Sequence, residues 1–240
     1  MTSVGRPFYV YLAQDTHDTL EVGEKMGFGG MVFPNIEADV TWEVTKPSGD
    51  LVVVNGRSSR LGIVRGQRLI PLDEPGLYRI RGTVHYGEYH GSVPGNYDGT
   101  FWHCAVEPNR EILIDTDLAA TQTIDENGLR IPISWPDDLN DVRVHYGVIM
   151  PGRILDQGDV APRGGSWEYP FYPKNLAAQH PNLDVRNFAT GEWELADTLI
   201  FQFFLEGTRG DQKMYDSLRL VLRDNRLYNF EKLLAHRGSE

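Results

Sequence analysis

Two stretches of alternating residues constrain the fold of this chain more than any other feature. Over residues 78–86 and again over 101–107, apolar and polar side chains alternate one by one. Successive side chains of a β-strand point to opposite faces, so each stretch has the period of a strand with one apolar and one hydrated face. The intervening segment carries turn-forming residues: Gly91, Pro94, Gly95, Asn96, Asp98 and Gly99. We therefore predict an antiparallel hairpin.

The same period recurs along most of the chain. Residues 38–44 alternate cleanly and lead into a turn at 46–50, which contains a proline and a glycine. In the second half, strands are predicted at 129–135, 142–149, 154–160, 167–171, 198–205 and 218–222. The stretch 198–205 is nearly all apolar, which is typical of a central strand buried on both faces. The pattern predicts an all-β protein.

A break at Pro108 divides the pattern into two domains, residues 1–108 and 109–240. The second domain contains a long polar connection over 173–197. It ends with Leu227, Phe230, Leu233 and Leu234, which have helical spacing. We expect a short amphipathic helix there.

Trp42 and the run DEPGLYRI at 73–80 resemble the immunoglobulin-like superfamily, including the bacterial PKD-type sandwiches. The resemblance covers about residues 7–108. It implies a β-sandwich in which Trp42 packs across the two sheets and Tyr78 pins a corner. Ile80 stands where the family has its second cysteine, so the usual disulfide is missing. With a looser likeness in the second half, the expected fold is two tandem immunoglobulin-like β-sandwiches.

Charge and composition limit the classes of partner. A net charge of −11 argues against nucleic acid or an anionic membrane as partner. No run of eighteen apolar residues occurs, so we expect no membrane insertion. The single cysteine, Cys104, excludes an internal disulfide and a cysteine-based metal site. No signal peptide is evident at the start, and an extracellular or cell-envelope location is expected if the chain is a fragment or a mature protein.

Three histidines form the first candidate site. If the hairpin turns near Pro94, His85 and His103 lie opposite each other on the hydrated face, close enough to share a metal ion. His90 is a further imidazole that could complete the site, with a transition metal as the cofactor. The alternative is an ordinary solvated pair of histidines.

Acidic residues near the domain boundary form a second candidate, for calcium, which takes six to eight oxygen ligands. They are Asp115, Asp117, Asp125, Glu126, Asp137, Asp138 and Asp141. None of these runs matches an EF-hand loop, so loop solvation is the alternative.

Aromatic residues beside polar loop groups form the third candidate, because such surfaces hold sugars or protein partners. The ligand-binding residues predicted in this way are Tyr89, Tyr97, Trp167 and Trp193.

No motif of a known catalytic nucleophile or zinc protease occurs. The favoured hypothesis is a non-enzymatic protein of tandem sandwiches, a surface, adhesion or assembly component that binds a protein partner or associates with itself through exposed sheet edges. A module that binds carbohydrate, with or without calcium, is the second hypothesis. A metal-dependent enzyme with a histidine site is the third.

Overall fold

The computed structural model describes residues 9–12, 17–27, 30–33, 35–64, 69–87, 89–92, 100–108, 110–124, 127–150, 153–173, 175, 185–187, 193–195 and 198–229. The chain divides into two compact units, Met1–Asn109 with Pro151–Arg153, and Arg110–Met150 with Ile154–Glu240. Strands predominate in both, which confirms the all-β class. No helix among the described residues is both long and apolar enough to cross a membrane.

The first unit contains eleven strands within the described residues. They are β1 (Tyr9–Leu12), β2 (His17–Glu21), β3 (Lys25–Gly27), β4 (Gly30–Phe33), β5 (Asp39–Thr45), β6 (Leu51–Arg57), β7 (Ile63–Val64), β8 (Leu69–Pro71), β9 (Gly76–Tyr86), β10 (Tyr89–Ser92) and β11 (Thr100–Val106). The main sheet has the order β2-β11-β9-β5-β6, with β10 also paired to β9. Two smaller sheets, β1-β4-β7 and β3-β8, accompany it.

Strand β9 is the centre of this main sheet. Along one side it pairs antiparallel with β5 from Arg79 to His85. Along the other side it pairs with β11 over its first half and with β10 over its last four residues. The hairpin partner that directly follows β9 in the chain is therefore β10, and the turn lies at Gly87 rather than near Pro94. Gly87 has a φ of +59°, which a glycine adopts without steric cost.

The alternation predicted for this sheet places its core residues correctly. Trp42 on β5 and Tyr78 on β9 are both buried, as predicted, and so are Val40, Val44, Ile80 and Val84 on the same face. The neighbours of these residues on the opposite face, such as Arg79 and Arg81, are exposed. This two-residue period leaves the sheet with one apolar and one hydrated face.

The Tyr78 hydroxyl ties the start of β9 to the preceding turn. It accepts a hydrogen bond from the Glu74 N–H at 3.1 Å, and both the Asp73 carboxylate and the Glu74 carbonyl lie at 3.1 Å as acceptors for its proton. The Asp73 carboxylate also lies 2.6 Å from Nζ of Lys46, the residue that follows the last residue of β5. Burial, reinforced by the Asp73 carboxylate, raises the pKa of Tyr78 to about 12.

The raised pKa predicts a loss of stability in strong alkali. The unfolded phenol titrates near pH 10, so the stabilisation is complete below that pH and disappears as the pH rises through about 12. Replacing Tyr78 by Phe should lower the free energy of unfolding by about 1 kcal/mol at pH 8. The gap between wild type and Y78F should narrow between pH 10 and 12, measured by urea unfolding. A constant gap across that interval would contradict the assignment.

The second unit contains the remaining strands of the described chain. They are β12 (Thr121–Thr123), β13 (Leu129–Ser134), β14 (Asn140–Met150), β15 (Arg153–Val160), β16 (Ser166–Phe171), β17 (Val185–Asn187), β18 (Trp193–Leu195), β19 (Leu199–Arg209), β20 (Gln212–Arg223) and β21 (Arg226–Asn229). A six-stranded sheet has the order β12-β21-β20-β19-β14-β15, and the pairs β13-β16 and β17-β18 are separate.

The core of this unit lies between the six-stranded sheet and the β13-β16 pair. The Phe171 ring on β16 meets the Phe201 ring on β19 edge to face, with centroids 4.8 Å apart. Strand β19 lies between β14 and β20, and both of its faces are buried, as its apolar sequence predicted: Phe201 and Phe203 face this core, and Phe204 faces the other side.

The predicted C-terminal helix is wrong at its first residue. Leu227 lies in β21, which pairs with β20. The two strands are joined by Asp224 and Asn225, with φ values of 51° and 57°. Positive φ at both central residues is the conformation of the type I′ hairpin turn, and Asp and Asn are tolerated there. Phe230, Leu233 and Leu234 lie outside the described residues.

A buried carboxylate fixes the segment that opens the second unit. Asp216 on β20 is 1% exposed. Its Oδ2 accepts hydrogen bonds from the N–H groups of Leu113 and Ile114, at 2.6 and 2.9 Å. Its Oδ1 accepts from the Ser217 N–H and from the Arg110 guanidinium. Four donors thus converge on one carboxylate and hold residues 110–114 against the sheet.

Replacing Asp216 by Asn should therefore destabilise this unit strongly. The substitution removes the charge and turns an amide NH₂ toward groups that are themselves donors. We expect a loss of about 3 kcal/mol in the free energy of unfolding, measured by urea denaturation.

The matched control is Arg110→Ala. It removes only the partly exposed member of the pair and should cost about 1 kcal/mol. Equal losses for D216N and R110A would show that the ion pair, and not the backbone contacts of Asp216, supplies the stability.

Candidate functional site

The hydrated face of the main sheet in the first unit is made of rows that run across the strands. One row consists of Arg57, Asp39, His85 and His90, each opposite the next in register. The adjacent row consists of Asn55, Thr41, Thr83 and Ser92. Directly opposed residues on neighbouring strands have their side chains on the same face. On β6, β5 and β9 these rows are therefore polar and lie on one face of the sheet.

The predicted pairing of His85 with His103 is wrong. His103 lies opposite Tyr78, seven residues before His85 on β9. Tyr78 and His103 are both buried, whereas His85 is partly exposed on the hydrated face. The two histidines are thus on opposite faces of the sheet. The register instead places His90 opposite His85.

His85 is oriented by a short chain of hydrogen bonds. Its Nε2 lies 3.1 Å from the Thr41 hydroxyl, which in turn donates to Asn55 Oδ1 at 3.2 Å. Next to it, Asp39 lies 3.7 Å from the Arg57 guanidinium, and both side chains are exposed. An exposed ion pair of this length adds little stability.

No group of three or more His, Cys, Asp and Glu side chains that could hold a metal ion occurs within the part of the chain that the structure describes. Two of the acids predicted for calcium take part in other contacts. Asp115 accepts a hydrogen bond from the Thr116 N–H at 2.7 Å. Asp138 lies 2.8 Å from Arg209 Nε, and Arg209 also binds Glu111. Asp125 and Glu126 lie outside the described residues.

Three of the four predicted aromatic residues lie in the described part of the chain, each on a different strand. By backbone register, Tyr89 lies on β10 opposite Tyr86, and Trp193 lies on β18 opposite Asn187. Tyr97 lies outside the described residues. Trp167 is partly buried on β16, with its ring centroid 5.6 Å from that of Tyr146.

Tyr146 and Tyr169, whose rings both contact that of Trp167, lie near a carboxylate on β15. The Tyr169 hydroxyl donates to Asp156 Oδ2 at 2.7 Å. Burial, and after it the Asp156 charge, raises the pKa of both Tyr169 and Tyr146, so both phenols stay protonated. Tyr146 approaches β15 where Gly158 has no side chain; a Cβ at that position would lie 2.7 Å from its hydroxyl. An aromatic and acidic cluster thus lies at the rim of the second core.

The open edge of β6 is a feature that sequence reasoning did not locate. Within the described part of the chain, β6 pairs with β5 and is the last strand of its sheet. Its outward side chains Leu51 and Val53 are 58% and 48% exposed. Residues 51–55, LVVVN, carry no charge and no proline, the devices by which edge strands commonly avoid pairing.

The hydrogen bonds of the neighbouring turns show which residues of β6 face this open edge. Ser58 N–H donates to the Ala38 carbonyl at 2.9 Å, and Lys46 N–H donates to the Asp50 carbonyl at 2.9 Å. The even-numbered residues therefore direct their backbone groups toward β5. Because this direction alternates along a strand, Leu51, Val53 and Asn55 direct theirs to the open side.

Comparison with known proteins yields little likeness. No family model matches the chain, and no curated protein matches it. Among solved structures it is similar to one described as the crystal structure of a tetra-tandem repeat in the extending region of a large adhesion protein, with 11% identity and a TM-score of 0.31. The match covers 90% of this chain and 49% of that chain, about half its length. A TM-score this low does not define a shared fold.

Proposed function

We propose that this protein is non-enzymatic, a surface, adhesion or assembly component made of two tandem immunoglobulin-like sandwiches. Buried Trp42 and the hydrogen-bonded Tyr78 support this assignment for the first unit, because both have the environments that the immunoglobulin-like resemblance implies. In the second unit, the packing of β13-β16 against the inner face of the larger sheet supports a two-layer arrangement.

The observation that carries the functional part of the proposal is the edge of β6. Leu51, Val53 and Asn55 offer three consecutive sets of backbone donors and acceptors on the side away from β5. An extended segment can add to such an edge, because the main-chain hydrogen bonds supply affinity and alternate side chains supply contacts. The exposed Leu51 and Val53 side chains lie beside these backbone groups, and pairing with another strand would bury part of their apolar surface away from water.

The occupant that fits best is a second copy of the same strand. In an antiparallel pair centred on Val53, Val53 of one copy lies opposite Val53 of the other, and Leu51 lies opposite Asn55. No charge meets a like charge within residues 51–55. An arrangement of this kind has two-fold symmetry and closes at a dimer.

Substitution of Val53 by Pro tests this directly. Proline removes the outward N–H of residue 53 but no hydrogen bond to β5, and it is tolerated on an edge strand whose N–H faces solvent. Wild-type protein of 27.2 kDa should show a weight-average mass that rises with concentration toward that of a dimer, measured by sedimentation equilibrium. The V53P variant should stay monomeric.

The control is Val53→Ala, which keeps the N–H and should retain most of the association. Circular dichroism melts should show that both variants remain folded. A wild-type protein that is monomeric at every concentration, or a folded V53P variant that dimerises as well as wild type, would reject the edge as the assembly route.

A second candidate function is carbohydrate binding at the rim cluster of Trp167, Tyr146 and Asp156. An aromatic face beside a carboxylate is the chemistry that stacks on and hydrogen-bonds to a sugar ring. A glycan array with and without calcium measures it, and Tyr146→Phe, which removes only the hydroxyl, should weaken any binding that uses this rim. A blank array under both conditions would exclude the candidate.

A further inference from the structure

The rim cluster of Trp167, Tyr146 and Asp156 contains a phenol that the fold does not use in a hydrogen bond. Tyr146 is partly buried, with its ring centroid 5.6 Å from that of Trp167 and 5.2 Å from that of Tyr169. The Tyr169 hydroxyl donates to Asp156 at 2.7 Å. The Tyr146 hydroxyl has no such partner within the part of the chain that the structure describes. It can therefore donate to and accept from a ligand.

Gly158 on β15 leaves room for this hydroxyl. A Cβ at residue 158 would lie 2.7 Å from Tyr146 Oη and 2.9 Å from its Cζ, which is too close for either atom. The φ of Gly158 is not positive, so the backbone conformation does not itself require glycine. The close approach of the phenol does require it. Any side chain at this position would displace the Tyr146 hydroxyl or shift β15.

Carboxylates make the surroundings of this hydroxyl negative. Burial, and after it the charges of Asp156 and Asp159, raises the pKa of Tyr146. Arg143 lies 3.9 Å from Asp159, but its guanidinium also lies 3.9 Å from Glu206, so two carboxylates share one cation. Asp156 forms no ion pair with any described residue. The rim therefore has an excess of negative charge.

This charge distinguishes between kinds of sugar. An aromatic surface such as that of Trp167 and Tyr146 packs against the C–H groups of a pyranose ring, whatever the substituents of the sugar. A carboxylate accepts hydrogen bonds from hydroxyl groups, but its hydrogen bonds to an ammonium group are stronger because both partners are charged. A sugar acid would be repelled by the same carboxylates. The best match is a sugar that carries a positive charge.

We propose that the rim cluster binds a hexosamine unit whose amino group is free and protonated. The pyranose ring lies against Trp167 and Tyr146, and the ammonium group is directed to Asp156 and Asp159. The Tyr146 hydroxyl bonds to a polar substituent of the ring. This inference rests on carbohydrate binding, the second candidate function, and specifies its ligand class. It does not depend on the β6 edge.

The test is an NMR titration of the full chain with three matched oligosaccharides. They are a glucosamine tetramer, the same tetramer with every amino group acetylated, and a glucose tetramer. The indole N–H signal of Trp167, identified as the one that is absent in W167F, reports binding at this rim. The glucosamine tetramer should shift it, and the two uncharged tetramers should bind at least about tenfold more weakly.

Three variants separate the parts of the site. D156N keeps an oxygen that can accept from Tyr169 but removes the charge, and it should weaken glucosamine binding about tenfold. D159N, at an exposed position, should weaken it about threefold. G158A removes none of these groups but displaces the Tyr146 hydroxyl, and it should weaken binding as Y146F does. Circular dichroism should show that each variant is folded.

Four results would overturn the proposal, and they differ in what else they reject. If the acetylated or the glucose tetramer binds as tightly as the glucosamine tetramer, the ammonium group is not recognised and only carbohydrate binding stands. If tetramethylammonium binds as tightly, the site takes a cation and not a sugar. If no tetramer shifts the Trp167 signal, carbohydrate binding at this rim fails as well. Unchanged affinity in both D156N and D159N would place the ligand elsewhere.

Discussion

The pairing of β5 with β9 is the interaction on which the first unit depends. It determines, for each strand of the main sheet, which residues face the core and which neighbour each backbone group is directed toward. Once His85 exchanges hydrogen bonds with Asp39, Trp42 and Tyr78 must face the core, and Thr41 and His85 must face water. The same parity, carried across β5, turns the backbone groups of Val53 outward. A slip of one residue would bury the charged row and expose Trp42, which makes any other register unfavourable.

The sequence pattern predicted which faces of β5 and β9 are buried, but not which strands pair with each other. The alternation over 38–44 identified the buried side of β5 correctly, because local periodicity is all that is needed for that. The position of the hairpin turn could not be read in the same way. Turn-forming residues over 91–99 outnumber those at 87 and 88, and the larger cluster favours a turn near Pro94. The signal for the tighter turn was present in Gly87 between two alternating tyrosine-containing segments.

The same kind of signal was overlooked at the end of the chain. Asp224 and Asn225 form a two-residue turn with both φ values positive, whereas the spacing of Leu227 with later leucines favoured a helix. Other features are inaccessible to local patterns. The parallel pairing of β11 with β2 joins residues 85 positions apart, such as Trp102 and His17, and Asp216 binds the N–H of Leu113, 103 positions earlier. Such contacts depend on which elements fold together, and one sequence read alone does not encode them visibly.

The polar groups of this protein differ in how far the fold itself already uses them in hydrogen bonds. Asp216 and Tyr78 are buried and saturated with partners, so their chemistry is consumed in holding the fold. Val53 and the His85 row lie at the hydrated side of the same ladder, on a surface that is rigid because its strands are hydrogen-bonded and its inner face is packed. Rigid placement lowers the entropy that a ligand or a partner strand must lose on binding. The proposed assembly at the edge of β6 therefore arises from the register of β5 with β9, and it uses backbone groups that the fold itself does not require.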